Sequence, residues 1–433
     1  MKNVRVFALG LILCLMLTAF CPAALADDAP DIKSKNAIVI DMNSGTVMYE
    51  KDADSKASPA STTKIMTMLL VCEALERGDI KTTDSVKAQE ADLKLGDDEA
   101  CTAKIKAGEV LSLYDLCCCA MLISANDACN VIASHTAGSV ENFVELMNEK
   151  AAELGCTGTH FANTNGLPSS EHYTTARELA IIAQEALKHD LFRELCGMAE
   201  YTVPANKLSK ERKLSNSNAL INPDSVYGDQ YTYDGAYGIK TGHTDSAGYC
   251  LVSAVSADKL DMLAVTLGAD GDKVKGKYFN SFGDTIKLLD YCREHWKYTV
   301  ILRANEKLGE MPVEKGTEDF VSLSLAHEIS RLLPVDFAAD SLQRTVNLNT
   351  DSVTAPVERG TVLGSVDISN ADGELLLTAD LVAADDVQMS LISCVWSFIR
   401  SNLKGIVITL TVIAFTVFAL IYLPNITKGK KKK

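Results

Sequence analysis

At 433 residues, 47% of them hydrophobic, the chain is long and apolar enough for two domains with buried cores. Its 57 acidic residues outnumber 42 basic ones, giving a net charge of −15 at pH 7. Eight of the basic residues and none of the acidic ones lie in the two terminal segments, so the stretch between them is more acidic still. That excludes nucleic acid as a partner class, which needs a basic face.

Residues 1–26 read as a signal peptide. Lys2 and Arg5 open it, residues 6–17 form a short apolar run, and Ala24-Leu25-Ala26 supplies a small-residue cleavage pattern before Asp27. An uncleaved anchor is the alternative. A lipid attachment at Cys21 is opposed by Phe20, where a small residue is wanted. Residues 36–50 then predict a β-hairpin around Asn43-Ser44-Gly45. A helix is predicted from Ser61 to Gly78, with Ile65, Met68, Leu69 and Cys72 on one stripe. Further helices are predicted over 111–123, 128–137, 140–154 (closed by Gly155), 175–189 and 284–295, and strands over 236–239, 249–256 and 261–267. Together these make one unit, 27–298.

From residue 299 the texture changes to short β-like runs at 300–302, 321–325, 342–348, 362–368 and 375–382, several of them separated by glycine. This predicts a small β domain, 299–385, that carries no candidate chemistry. Residues 386–404 place Val387, Leu391, Val395 and Ile399 on one helical stripe, as an amphipathic juxtamembrane helix does. Residues 405–423 are uncharged and almost wholly apolar. As a helix they reach about 28 Å, close to the ~30 Å hydrocarbon core of a bilayer. The tail, 424–433, holds Lys428 and Lys430 to Lys433, and such a basic cluster stays on the cytoplasmic side. With the signal peptide this predicts a single-pass cell-membrane protein whose residues from Asp27 to about Asn402 lie outside the cytoplasm.

Thirteen cysteines are many for an exported chain, and an odd eleven remain after processing. No spacing fits a zinc site. Cys117, Cys118 and Cys119 are consecutive in an apolar run, where cysteine behaves as a small hydrophobe. Most are therefore expected to be free core thiols rather than disulfides.

Three motifs carry candidate chemistry. In Ser61-Thr62-Thr63-Lys64 a helical i, i+3 spacing brings a hydroxyl and an amine onto one face. A serine is a weak nucleophile until a base takes its proton, and a lysine with a lowered pKa can be that base. Ser124-Ala125-Asn126 lies on a connection between two apolar helices. Lys240-Thr241-Gly242 follows a strand, and its glycine leaves room for a peptide along a strand edge. Taken singly, each is also what an N-cap, a helix cap or a polar strand end looks like. In this order they form the active-serine set of penicillin-binding proteins and β-lactamases.

The stretches 60–66, 124–133, 165–167 with 172–174, and 238–249 resemble the low-molecular-weight D-alanyl-D-alanine carboxypeptidases, serine peptidase family S11. The resemblance implies an α+β catalytic domain, an antiparallel sheet flanked by helices, followed here by the small all-β domain and the C-terminal transmembrane helix. It implies that Ser61 is acylated, that Lys64 is its general base, and that Ser124 relays a proton to the departing D-alanine. Asn126 would hold the substrate amide, Lys240 supply positive charge and Thr241 contact the terminal carboxylate. The backbone N–H groups of Ser61 and His243, next to Gly242, would form the oxyanion hole. The partners implied are stem peptides ending in D-Ala-D-Ala and acylating β-lactams, with no metal or organic cofactor. One departure stands out. Many members carry a carboxylate-binding Arg where this chain has residues 268–272, and Lys273 or Lys275 is the available substitute. A D,D-endopeptidase or transpeptidase shares the same motifs. A β-lactamase lacks a reason for the β domain and span, and a non-catalytic wall-binding protein lacks a reason for intact motifs.

Overall fold

Runs of alternating and continuous apolar residues build a five-stranded sheet from the two ends of the first unit. Its strands are β1 (Asn36–Asp41), β2 (Val47–Lys51), β3 (Ala236–Thr244), β4 (Gly248–Ala257) and β5 (Leu260–Ala269), in the order β2-β1-β5-β4-β3. Every neighbouring pair is antiparallel, and Val39 of β1 faces Ala264 of β5 across more than two hundred residues of chain. The computed structural model describes residues 29–97, 100–272, 278–338 and 341–428, so the predicted signal peptide lies outside the described residues. The chain divides into two compact units, one running to Lys297 and adding Leu332–Val335, the other holding Tyr298–Arg331 and the remainder.

The predicted hairpin and three strands are present, and the first of these strands extends the motif reading. β3 continues through Lys240, Thr241 and Gly242 to Thr244, so the third motif lies inside an edge strand. An edge strand has unpaired backbone groups along one side.

Helices enclose a core around α1 (Lys64–Arg77), which is capped by Gly78 in the left-handed region. The predicted apolar stripe on α1 is an underestimate. Ile65, Met66, Thr67, Met68, Leu69, Leu70, Val71 and Cys72 are all buried, so the first half of the helix is surrounded rather than amphipathic. α2 (Leu113–Leu122) starts from a capping box between Ser112 and Asp115. α3 (Asn126–Ala137) and α4 (Val140–Glu153) follow closely. The helix predicted over 175–189 is α5 (Ala176–Ala186); the chain leaves the helical conformation at His189, and a further helix that the sequence reading did not place, α6 (Asp190–Gly197), follows. α7 (Asn280–His295) and α5 both pack on β5.

In the second unit a six-stranded sheet runs in the order Gln343–Leu348, Val362–Ser369, Leu375–Ala383, Phe320–Ser324, Gly309–Glu314, Val353–Thr354. Gly309–Glu314 escapes a sequence reading because Pro312 interrupts it. The proline points outward while Met311 and Val313 face the core. The amphipathic stretch and the span expected separately form one continuous 38-residue helix, α8 (Leu391–Lys428). Its apolar stretch, Leu391–Ile421, is long and apolar enough to cross a membrane.

The cysteines in the described residues are all free, and Cys101 and Cys394 alone among them are exposed. Burial pushes the thiols of Cys72, Cys119 and Cys156 up to about 12 and that of Cys129 to about 11, so they are neutral and unreactive at pH 7. Iodoacetamide labelling of the native chain, read by peptide mass spectrometry, should therefore modify Cys101 and Cys394 first. Within the described residues, the other cysteines should react only after denaturation, and a disulfide-linked peptide pair among them would contradict the structure.

Candidate active site

The first motif begins in a tighter helix than its sequence predicts. Ala60–Thr63 is a 3-10 turn leading into α1, so Ser61 sits one turn ahead of the α-helix rather than within it. In a 3-10 turn residues i and i+3 eclipse each other, which suits this spacing better than an α-helix does. Lys64 Nζ lies 2.9 Å from Ser61 Oγ. Thr62 Oγ1 donates to the Pro59 carbonyl at 2.6 Å and Thr63 Oγ1 to the Ala60 carbonyl at 2.7 Å, which tightens the turn.

Lys64 is fully buried, yet its nitrogen is saturated. Besides Ser61 it donates to Asn126 Oδ1 at 2.7 Å and to the Asn165 carbonyl at 2.6 Å. Burial is the main reason its pKa falls below the ordinary lysine value, against a smaller opposing pull from Cys129, Cys101 and Asp127. Lys240, 1% exposed, is the second buried cation. Burial first, and then the positive charge of Lys64, lower it to about 7. Its amine donates to the Thr241 carbonyl at 3.1 Å.

Asn126 opens α3, and its N–H donates to the Cys101 carbonyl at 2.8 Å. Because Oδ1 accepts from Lys64, the amide NH2 of Asn126 is the end left to donate elsewhere. Ser124 adopts φ 61°, an uncommon conformation outside glycine, and its buried Oγ has no hydrogen-bond partner among the described residues. Strain and an unsatisfied hydroxyl at one residue are features that gather at functional sites. Thr241 Oγ1 shares a 2.6 Å hydrogen bond with Ser217 Oγ. Gly242 lies so close to Ser61 that a Cβ there would sit 3.0 Å from the Ser61 nitrogen. The His243 ring packs on Tyr249 with centroids 4.2 Å apart.

The three motifs thus converge on Ser61. Two participants were not singled out from the sequence. Asn165 acts through a carbonyl, which every residue type has, and Ser217 is one hydroxyl in a Ser-Asn-Ser-Asn run. Where an Arg is missing, Gly271–Asp272 pairs with Tyr278–Phe279 as a short ribbon, and Lys273 and Lys275 lie outside the described residues.

Residues 23–271 match the family model of the D-alanyl-D-alanine carboxypeptidases, peptidase S11, and residues 296–389 match that of the penicillin-binding protein 5 C-terminal domain. The chain is 31% identical to D-alanyl-D-alanine carboxypeptidase DacF of Bacillus subtilis, across 87% of this chain and 93% of that one. It is likewise 31% identical to DacA of Escherichia coli, over 86% of this chain and 90% of the relative. The crystal structure of penicillin binding protein 5 from Haemophilus influenzae covers 83% of this chain and 99% of its own, at 27% identity and a TM-score of 0.62. The chain belongs to the D-alanyl-D-alanine carboxypeptidase family and is a serine peptidase with a penicillin-binding-protein fold.

Gly166 tests how tightly the Ser61 turn is held. Its φ is +94°, and a Cβ there would fall 1.8 Å from the Ala60 carbonyl oxygen. Gly138 has a similar φ of +83° with open space around it. Gly138→Ala should cost about 1 kcal/mol, the backbone term alone. Gly166→Ala adds a backbone collision and should cost several times as much. Urea unfolding of both variants gives the comparison, and equal midpoints would contradict the close approach.

Proposed function

We propose that this chain removes the terminal D-alanine from stem peptides ending in D-Ala-D-Ala through an acyl-enzyme on Ser61, and that β-lactams acylate the same serine. The observation that carries this reading is the hydrogen-bond inventory of Lys64. Of its three partners, the Asn165 carbonyl can only accept, and so can Asn126 Oδ1. A neutral amine has two N–H bonds and one lone pair. Its two N–H bonds satisfy those oxygens, which turns the lone pair to the Ser61 hydroxyl 2.9 Å away. That is the arrangement of a base poised on a nucleophile.

The steps then follow from placement. Ser61 Oγ attacks the carbonyl carbon of the penultimate D-alanine and its proton passes to Lys64. The oxyanion is met by the backbone N–H groups of Ser61 and His243, beside the bare Gly242. The C–N bond breaks, and the departing amine takes its proton through Ser124, whose Oγ faces no competing partner among the described residues. Asn126 holds the substrate amide through its NH2. Lys240 and Thr241 receive the terminal carboxylate, with Ser217 orienting the Thr241 hydroxyl. Water then hydrolyses the ester and frees Ser61.

We further propose that α8 anchors the chain in the cell membrane, with the catalytic unit outside the cytoplasm. Thirty-eight residues reach about 57 Å as a helix, more than a ~30 Å core requires. Arg400 and Lys404 therefore mark where the helix leaves the hydrocarbon, and the apolar residues after them supply the span. A chain ending at Ser390 should move from the membrane to the soluble fraction, and retention on membranes would oppose this assignment.

Two measurements bear on the chemistry. D-alanine release from a synthetic peptide ending in D-Ala-D-Ala should be seen with the full chain in detergent and be abolished by Ser61→Ala. Penicillin labelling of Ser61 without release, rising when an acceptor amine is added, would instead make the enzyme a transpeptidase. The pH profile is the second. Acylation needs Lys64 neutral, so its rate should climb with pH through an apparent pKa below 10.5, the ordinary lysine value. Lys240→Gln removes a neighbouring cation and should move that limb upward. An unmoved limb would separate the two lysines electrostatically.

A further inference from the structure

The peptide between Ala60 and Ser61 is a rigid plane whose carbonyl and N–H point in opposite directions. The structure flanks both ends of it with glycine. Gly166 lies against the Ala60 oxygen, and Gly242 lies against the Ser61 nitrogen. Ala60 itself has φ 47°, unusual for a residue with a side chain, so this plane does not keep its orientation by preference.

A buried relay outside the three motifs reaches that plane. The Ala162 N–H donates to His172 Nδ1 at 2.9 Å, so Nδ1 carries a lone pair and the ring proton is on Nε2. His172 Nε2 lies 2.7 Å from Thr63 Oγ1, and Thr63 Oγ1 lies 2.7 Å from the Ala60 carbonyl. The carbonyl only accepts, so the Thr63 proton points to it and the His172 proton points to Thr63. One direction of donation satisfies all three bonds. His172 is 3% exposed and Thr63 is fully buried, so the relay is almost wholly removed from bulk solvent. Burial, followed by the charges of His160 and Lys64, pushes the His172 ring down to about 4, which keeps it neutral and in this tautomer at physiological pH.

We propose that His172 and Thr63 are positioning residues, which hold the Ala60 carbonyl and thereby aim the Ser61 N–H of the same peptide plane at the developing oxyanion. The proposal rests on the acyl-serine reading given above, and it assigns to the relay a part of transition-state stabilisation rather than of substrate binding. Losing the Thr63 hydroxyl frees the carbonyl to turn and the N–H with it. Small misplacements of such a donor reduce rates by up to about a hundredfold.

The test uses the full chain in detergent micelles and fluorescent penicillin. Thr63→Val, close in shape but without the hydroxyl, should lower the saturating rate of Ser61 acylation by roughly tenfold to a hundredfold. The half-saturating concentration should stay near that of the wild type. Thr63→Ser restores the hydroxyl and should recover most of the rate, which a packing defect would not predict. His172→Gln should fall between them. Independently of any variant, 15N spectra of the histidine-labelled wild type should show His172 with an unprotonated Nδ1 and a protonated Nε2, assigned by loss of its signals in His172→Gln. Thr63→Val acylating at the wild-type rate, or the opposite tautomer at His172, would overturn the proposal. A wild type that does not acylate at all would instead sink the acyl-serine reading, and this inference with it.

Discussion

A lysine nitrogen removed from water must find its hydrogen bonds inside the protein, and at Lys64 this requirement organises the first unit. Its partners come from three separate places: its own turn, the first residue of α3, and the loop carrying Asn165. An unsatisfied buried amine would cost far more than any one of these bonds contributes. The three segments are therefore held to one another through the base. The same demand bears on α1. A helix carrying the buried Lys64 at its start enters the middle of the unit, and its first half, Ile65 to Cys72, is buried all round rather than along one stripe.

Two residues with side chains beside this arrangement, Ala60 and Ser124, stand in positive-φ conformations. Such residues persist where their surroundings fix them from several sides. Around Ala60 the fixing groups are Thr63, Gly166 and Gly242. Around Ser124 they are less direct. The next residue, Ala125, donates its N–H to the Cys119 carbonyl at 3.0 Å. Asp127 accepts from the N–H groups of Ala103 and Ile105 at 2.9 and 3.0 Å, which draws the 101–105 stretch over the start of α3. Of the eight positive-φ residues with side chains among those described, these two are the ones that set the geometry of the candidate nucleophile and the candidate proton relay.

The chemistry was more legible in the sequence than the geometry that supports it. Ser61, Lys64, Ser124, Asn126, Lys240 and Thr241 could be named because a hydroxyl, an amine or an amide at a given spacing has few other uses in combination. The helices and strands of the first unit could be placed because their apolar periodicity is strong. The contributions of Asn165 and of the Ala60 peptide plane could not be named, since both are made by backbone atoms. Thr63 and His172 stood inside segments already noticed, but nothing in their spacing, more than a hundred residues, indicates that they touch. Gly309–Glu314 was lost to its proline, and α6 was lost because its eight residues are too short to show a periodicity of their own. Where a sheet pairs distant strands, as β1 does with β5, local pattern gives the strands but not their order.

The two buried lysines also oppose the fold they serve. Both are lowered from 10.5, so over the interval from about 7 to 10.5 the unfolded chain binds more protons than the folded one, and folding strengthens as pH rises. At neutral pH the native state thus carries an unfavourable charge term that apolar side chains at both positions would not create. An anionic ligand reverses it. A peptide carboxylate beside Lys240 favours the charged form there and raises its pKa. On the proposed reading, binding a C-terminal carboxylate would take up a proton at Lys240. A site that is electrostatically frustrated when empty would then be relieved by a ligand with a free carboxylate at its end, which is a physical ground for exopeptidase selectivity even though residues 268–272 hold no arginine.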